Sequence, residues 1–168
     1  MNRPISLLIT VLCLSLTSWG EEKNGLRLSA QKTVLERDKD RDNSSYWDRV
    51  EKALGLKVAA KNVSMKEMPE GTVDSTLIVK RWGYTPAKIE RYSSTEKLPP
   101  LKPGGEVNLV AGKVAIGGYE RGGDKRYQDT IEAWQVIVKH NGTETCRVTS
   151  TGTFEKLNAR AKDGPKQP

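Results

Sequence analysis

The sequence predicts an all-β fold of antiparallel strands with one short helix near its N-terminus. From Leu56 onward, apolar residues recur with a period of two. Turn signals separate the runs at Pro69-Glu70-Gly71, at 101–105 and at Asn141-Gly142. Strands that follow one another in this way fit a sandwich or barrel and exclude βαβ units.

The first 20 residues form an expected export signal. Asn2 and Arg3 give a polar, positive start, and 5–16 is apolar apart from Ser6, Thr10 and Ser15. Ser18-Trp19-Gly20 places small residues at −3 and −1 of a cleavage point before Glu21. The apolar run falls short of the roughly 20 residues a membrane span needs. The reading is therefore a secreted or periplasmic protein with no membrane span after cleavage. Removing residues 1–20 of 168 leaves 148, enough for one domain with a real core. It also removes Arg3 from the 28 basic residues, leaving 27 against 21 acidic, a net +6. That charge permits an anionic partner without demonstrating one. Cleavage removes Cys13, so Cys146 has no intramolecular partner.

Residues 21–55 read as a charged N-terminal extension. Leu26, Leu28 and Ala30 alternate with polar residues as a short strand. Ser45 can cap a helix over 45–54, with Trp47, Val50 and Leu54 at helical spacing and Gly55 as its stop. The β domain then spans 56–157. Leu56, Val58 and Ala60 alternate, and an irregularity is expected at Lys61-Asn62. Val73, Ser75, Leu77 and Val79 share one face of the next strand. A shorter strand covers 89–92, another runs from Val107 toward Ile116, and 117–127 reads as a Gly-rich charged loop. Residues 158–168 read as a flexible tail.

The last hairpin can be placed in register. A two-residue Asn141-Gly142 turn would pair Val138 with Thr145 and Val136 with Arg147, putting an arginine on the core face. A three-residue loop over 140–142 pairs Val136 with Cys146 and Trp134 with Val148. Trp134, Val136, Val138, Cys146 and Val148 then share the buried side, which selects the longer loop.

Val58-Ala59-Ala60-Lys61-Asn62-Val63-Ser64, the strand 72–80 and Leu101-Lys102-Pro103-Gly104-Gly105 follow in order over about 56–110. This layout resembles immunoglobulin-like β-sandwich modules of exported bacterial proteins, including FxLYD-type domains. The resemblance implies an immunoglobulin-like antiparallel β-sandwich and an accessory or recognition role. It carries over no functional residue, because such modules share no common active site.

No constellation in the sequence supports catalysis, so the expectation is a non-enzyme without cofactor or metal. His140 is the only histidine and reads as a turn residue. Cys146 reads as an inert core thiol. Asp38, Asp40 and Asp42 resemble the start of a calcium loop, but Asn43 stands where Gly is needed and Arg49 where the bidentate Glu belongs. Gly118 to Lys125 fails as a phosphate loop, since Asp124 takes the Lys position. Three acceptor sequons begin at Asn43, Asn62 and Asn141.

The strongest functional patch mixes rings and cations. Aromatic rings stack on sugars, and cations pair with phosphates, sulfates or carboxylates. Lys80, Trp82, Tyr84, Arg91 and Tyr92 supply it from 80–102. Tyr119, Arg121, Arg126 and Tyr127 supply it from the glycine-rich segment. The expected partner is a protein or an anionic glycan, not nucleic acid. The function expected is binding or assembly, with carbohydrate binding as the alternative.

Overall fold

The computed structural model describes residues 19–40, 48–121 and 124–165, with side chains for 20–37, 49–119 and 127–165. Residues 1–18 of the expected signal, and Asp42 and Asn43, lie outside the described residues.

Among the described residues, ten strands form two five-stranded sheets, as the all-β prediction requires. The first sheet contains, in spatial order, β1 (Trp19–Lys23), β2 (Leu26–Asp40), β3 (Asp48–Asn62), β6 (Glu106–Arg121) and β7 (Asp124–Gln128). The second contains β10 (Lys162–Asp163), β5 (Lys88–Leu98), β4 (Gly71–Arg81), β8 (Thr130–His140) and β9 (Thr143–Thr149). Neighbours are antiparallel except β10 and β5, which run parallel.

The core lies between the sheets. Leu26, Leu28, Leu56, Val58 and Val114 of the first meet Val73, Leu77, Val79, Val136 and Val138 of the second, all fully buried. Each such side chain removed from water contributes roughly 1.5–3 kcal/mol. The predicted inward face of β4 is correct, with Ser75 buried among its apolar neighbours.

The expected helix is absent over 48–54, and residues 45–47 lie outside the described residues. The segment is the first half of β3, where Val50 pairs with Lys39 and Gly118, and Leu54 with Val34 and Val114. Leu54, Leu56 and Val58 pack into the core from one strand, and Val50 is buried farther along it. Lys52 interrupts the pattern, and its ammonium donates to Gln128 Oε1 at 3.1 Å. The supposed extension is therefore part of the first sheet, and no boundary falls at residue 56.

The irregularity expected at Lys61-Asn62 lies at Gly55 instead. β2 shifts register between Val34 and Glu36, and the β3–β6 ladder shifts between Leu54 and Leu56. A Cβ on Gly55 would stand 2.9 Å from Leu35 Cδ1 and 3.1 Å from the Gly112 carbonyl. Gly55 is thus the residue that lets two bulged strands close on β3, not a helix stop.

Asn62 ends β3 and is fully buried. Its Nδ2 donates to the Lys66 and Leu101 carbonyls at 2.7 and 2.9 Å. Its Oδ1 accepts from the Ser64 amide and hydroxyl at 2.9 and 2.7 Å. The two separated segments that carry the family resemblance therefore meet here, pinned by one amide.

The segment 117–127 is mostly strand rather than loop. β6 runs to Arg121, and β7 returns with Tyr119 opposite Tyr127. β5 likewise extends to Leu98, well past the expected 89–92. Beyond Ser150 the chain forms α1 (Phe154–Arg160) and β10, which corrects the expected tail. Phe154 packs on Ile78 and Ala133, covering the outer face of the second sheet.

The last hairpin has the buried face predicted but reaches it differently. Asn141 and Gly142 both have positive φ, 50° and 74°, and form a two-residue turn between His140 and Thr143. Lys139 pairs with Glu144, whereas Val138 pairs with Cys146, so Thr145 is an extra, bulged residue. Val136 then faces Val148 rather than Cys146. The bulge shifts the phase by one and sends Arg147 outward, which a regular ladder from this turn could not do.

Candidate functional site

Among the described residues, the exposed rings gather at one end of the molecule. β4 ends at Arg81, and the loop 82–87 begins with Trp82-Gly83, where Gly83 has φ +84°. β6 and β7 bring Tyr119 and Tyr127 alongside it from the other sheet. Trp82 meets Tyr119 at 5.7 Å with an interplanar angle of 70°, and Tyr127 at 5.9 Å and 88°. These are edge-to-face contacts, the geometry that the ring quadrupole favours. Trp82, Tyr84, Tyr119 and Tyr127 are all exposed. The Lys88 ammonium stands 5.6 Å from the Tyr84 ring centroid.

Beneath the rings lies a clasp joining the sheets. Arg81 Nε donates to Glu90 Oε2 at 2.6 Å, and Nη1 donates to Asp129 Oδ2 at 2.6 Å and to the Ala115 carbonyl at 3.0 Å. Nη2 donates to the Tyr92 hydroxyl, which donates to Glu90 Oε2 at 2.6 Å. Lys88 reaches Glu90 Oε1 at 2.6 Å. Asp129 also accepts from the amides of Trp82 and Gly117 at 2.8 and 3.1 Å. The carboxylate thereby fixes the start of the aromatic loop to β6. Burial opposes ionisation of Glu90, but hydrogen bonds from Lys88, Tyr92 and Arg81 outweigh it and hold its pKa at about 2. Burial also opposes charge on Arg81, and its bonds to Glu90, Asp129 and Tyr92 overcome that and raise its pKa.

The predicted patch divides. Trp82, Tyr84, Tyr119 and Tyr127 gather at this end, and Lys80 lines the adjoining cup. Tyr92 is buried, its ring facing Gly164, where a Cβ would collide with Cζ. Arg91 is engaged by the C-terminal segment, donating to Asp163 Oδ1 at 2.8 and 2.6 Å and to Asn158 Oδ1 at 3.3 Å. Arg121 and Arg126 lie on β6 and β7, and their side chains are outside those described.

The cup beside Trp82 has a volume of about 540 Å³. Trp82, Tyr84 and Tyr127 wall it, with Lys80, Gln128, Thr130 and Glu132 among the polar lining. Lys80 pairs with Thr130 across the ladder, and a register shift between Ile78 and Val79 leaves Glu132 as the extra residue on β8. Bulges of this kind commonly re-aim a side chain at a site. Glu132, Thr130 and Asp129 carry no sequence signal, because their placement depends on that bulge and on the crossover from β7 to β8.

The remaining candidates have structural surroundings. Cys146 is fully buried, its Sγ 3.7 Å from the Glu21 carbonyl, and burial pushes its thiol pKa up to about 11. His140 Nδ1 shares a 2.8 Å hydrogen bond with Thr145 Oγ1, and burial lowers its pKa. Among the described residues, no group of three His, Cys, Asp or Glu side chains could hold a metal ion. No described helix is long and apolar enough to cross a membrane.

No protein-family model matches the chain, and no curated protein matches it. A solved structure from Akkermansia muciniphila is similar at 11% identity and a TM-score of 0.36, covering 88% of this chain and 82% of that one.

Proposed function

We propose that this is an exported, non-catalytic binding or assembly module whose contact surface is the aromatic end of the two sheets. The observation that carries this reading is the exposed Trp82–Tyr119–Tyr127 cluster, fixed from below by Arg81 and Asp129. Rings held in place before the partner arrives lose little entropy on binding, the usual reason for aromatic anchors at interfaces. The immunoglobulin-like layout is the finer fold reading that accompanies this role. Export follows from the signal pattern; cleavage after Gly20 would leave Glu21-Glu22-Lys23 of β1 in place. Mass spectrometry of exported material should find a chain starting at Glu21, and an intact Met1 would sink this part.

The carbohydrate-binding alternative is favoured by the cup, where rings adjoin a cation, a carboxylate and hydroxyls. The rings stand at steep angles to one another, which suits a short glycan segment rather than a flat crystalline surface. A glycan array probed with wild type and Trp82→Ala tests the surface. Loss of the wild-type signals in a variant that melts normally is the expected result. Signals that survive Trp82→Ala would remove the aromatic end from consideration.

A further inference from the structure

We infer that the cup binds an acidic sugar carrying one carboxylate per ring, of the uronate class, with Lys80 as its anion contact. This rests on the reading of the aromatic end as a binding surface and adds the ligand's chemistry.

Of the described cations near the rings, Arg81 is held by Glu90 and Asp129, and Lys88 by Glu90. Lys80 is exposed, lines the cup, and forms no ion pair with any described residue. Among the described side chains, the cup therefore offers one uncommitted ammonium. A densely sulfated chain, with several charges per disaccharide, needs several such groups at close spacing, whereas one carboxylate per ring needs one.

Glu132 has an affirmative role with a sugar. Its Oε1 accepts from Thr130 Oγ1 at 2.5 Å, which fixes the carboxylate and leaves Oε2 as an acceptor for ring hydroxyls. Trp82 and Tyr84 present apolar ring surface for the C–H face of a pyranose. One cation, one hydroxyl acceptor and an aromatic wall match a ring bearing one carboxylate and several hydroxyls. The volume of about 540 Å³ lies within the roughly 300–1,000 Å³ of small-ligand sites.

The test uses tetragalacturonate and its methyl ester, which keeps every hydroxyl and removes the charge. Calorimetry at low salt should show the acid binding about fivefold tighter than the ester, the scale of a half-exposed charge-assisted contact. Lys80→Gln should bring the acid down to the ester's affinity and leave the ester unchanged. Trp82→Ala should weaken both. Equal binding of acid and ester that still depends on Trp82 would overturn the uronate inference and leave the aromatic surface standing. Acid binding indifferent to Trp82→Ala would overturn both. Failure of the acid to bind, or tighter Lys80-dependent binding of a sulfated heparin tetrasaccharide, would overturn the uronate inference alone.

Discussion

Glu90→Gln swaps a buried carboxylate for a neutral group of the same shape, so it isolates the charge at the centre of the clasp. Glu90 is 4% exposed and accepts from Arg81, Lys88 and Tyr92. Its pKa falls from 4.5 to about 2 on folding. At about 1.4 kcal/mol per tenfold change in proton affinity, that gap corresponds to about 3 kcal/mol of stability. The folded pKa is the lower one, so the unfolded chain takes up the proton first. The contribution is therefore complete above about pH 4.5, about half lost by pH 3 and gone below about pH 2. Urea unfolding at pH 7 should place the midpoint of Glu90→Gln about 1–3 M below wild type, given roughly 1–3 kcal/mol per M for a domain of this size. The two midpoints should converge as pH falls toward 2. Equal midpoints at pH 7, or a gap that persists undiminished at pH 2.5, would refute the assignment of this energy to the carboxylate.

Cys146 should react slowly with a thiol reagent at pH 8, since its pKa is about 11 and the side chain is fully buried; rapid labelling of native protein would contradict the observed hairpin phase. Asn62→Ala should cost about 2–4 kcal/mol by thermal or urea unfolding, because four hydrogen bonds of about 1 kcal/mol each are lost in the interior. Burial lowers the pKa of His140, so the unfolded state binds its proton more readily and stability should decline as pH drops through 6.5. His140→Gln should flatten that part of the stability profile, and an unchanged slope would place the titration elsewhere.

The inward faces of β4 and β8 were legible from the period of two, although Ile78 and Ala133 on the outer face are also buried, beside Phe154. β3 was half legible. Lys52 stands on its inward side and breaks the alternation, so Trp47, Val50 and Leu54 imitate a helix. Asn24-Gly25, with φ of 52° and 76°, is as strong a hairpin signal as Asn141-Gly142, yet the charged residues around it disguise β1. The core criterion identified the right face but the wrong loop: the three-residue loop expected over 140–142 is a two-residue turn, and the bulged Thr145 restores the face. At the site, the rings were visible as residue types. Which of them would be exposed depended on tertiary partners with no local signature, Asp129 for Trp82 and Gly164 for Tyr92.

The buried amide of Asn62 also sets a deadline during maturation. Asn62-Val63-Ser64 is an acceptor sequon, but in the folded domain the side chain is enclosed and all its bonds are in use. A glycosyltransferase in a host that modifies exported chains could reach it only before residues 64–66 and Leu101 close around it. A glycan attached then would take one Nδ2 hydrogen and leave a single donor for two carbonyls, while the sugar would have no space once those residues have closed. Production in such a host becomes a race between enzyme and folding, with the loser a chain that cannot pin its two segments. Asn141, exposed at the hairpin tip, is under no such pressure, so the ratio of sugar at the two positions would report how quickly this protein folds in such a host.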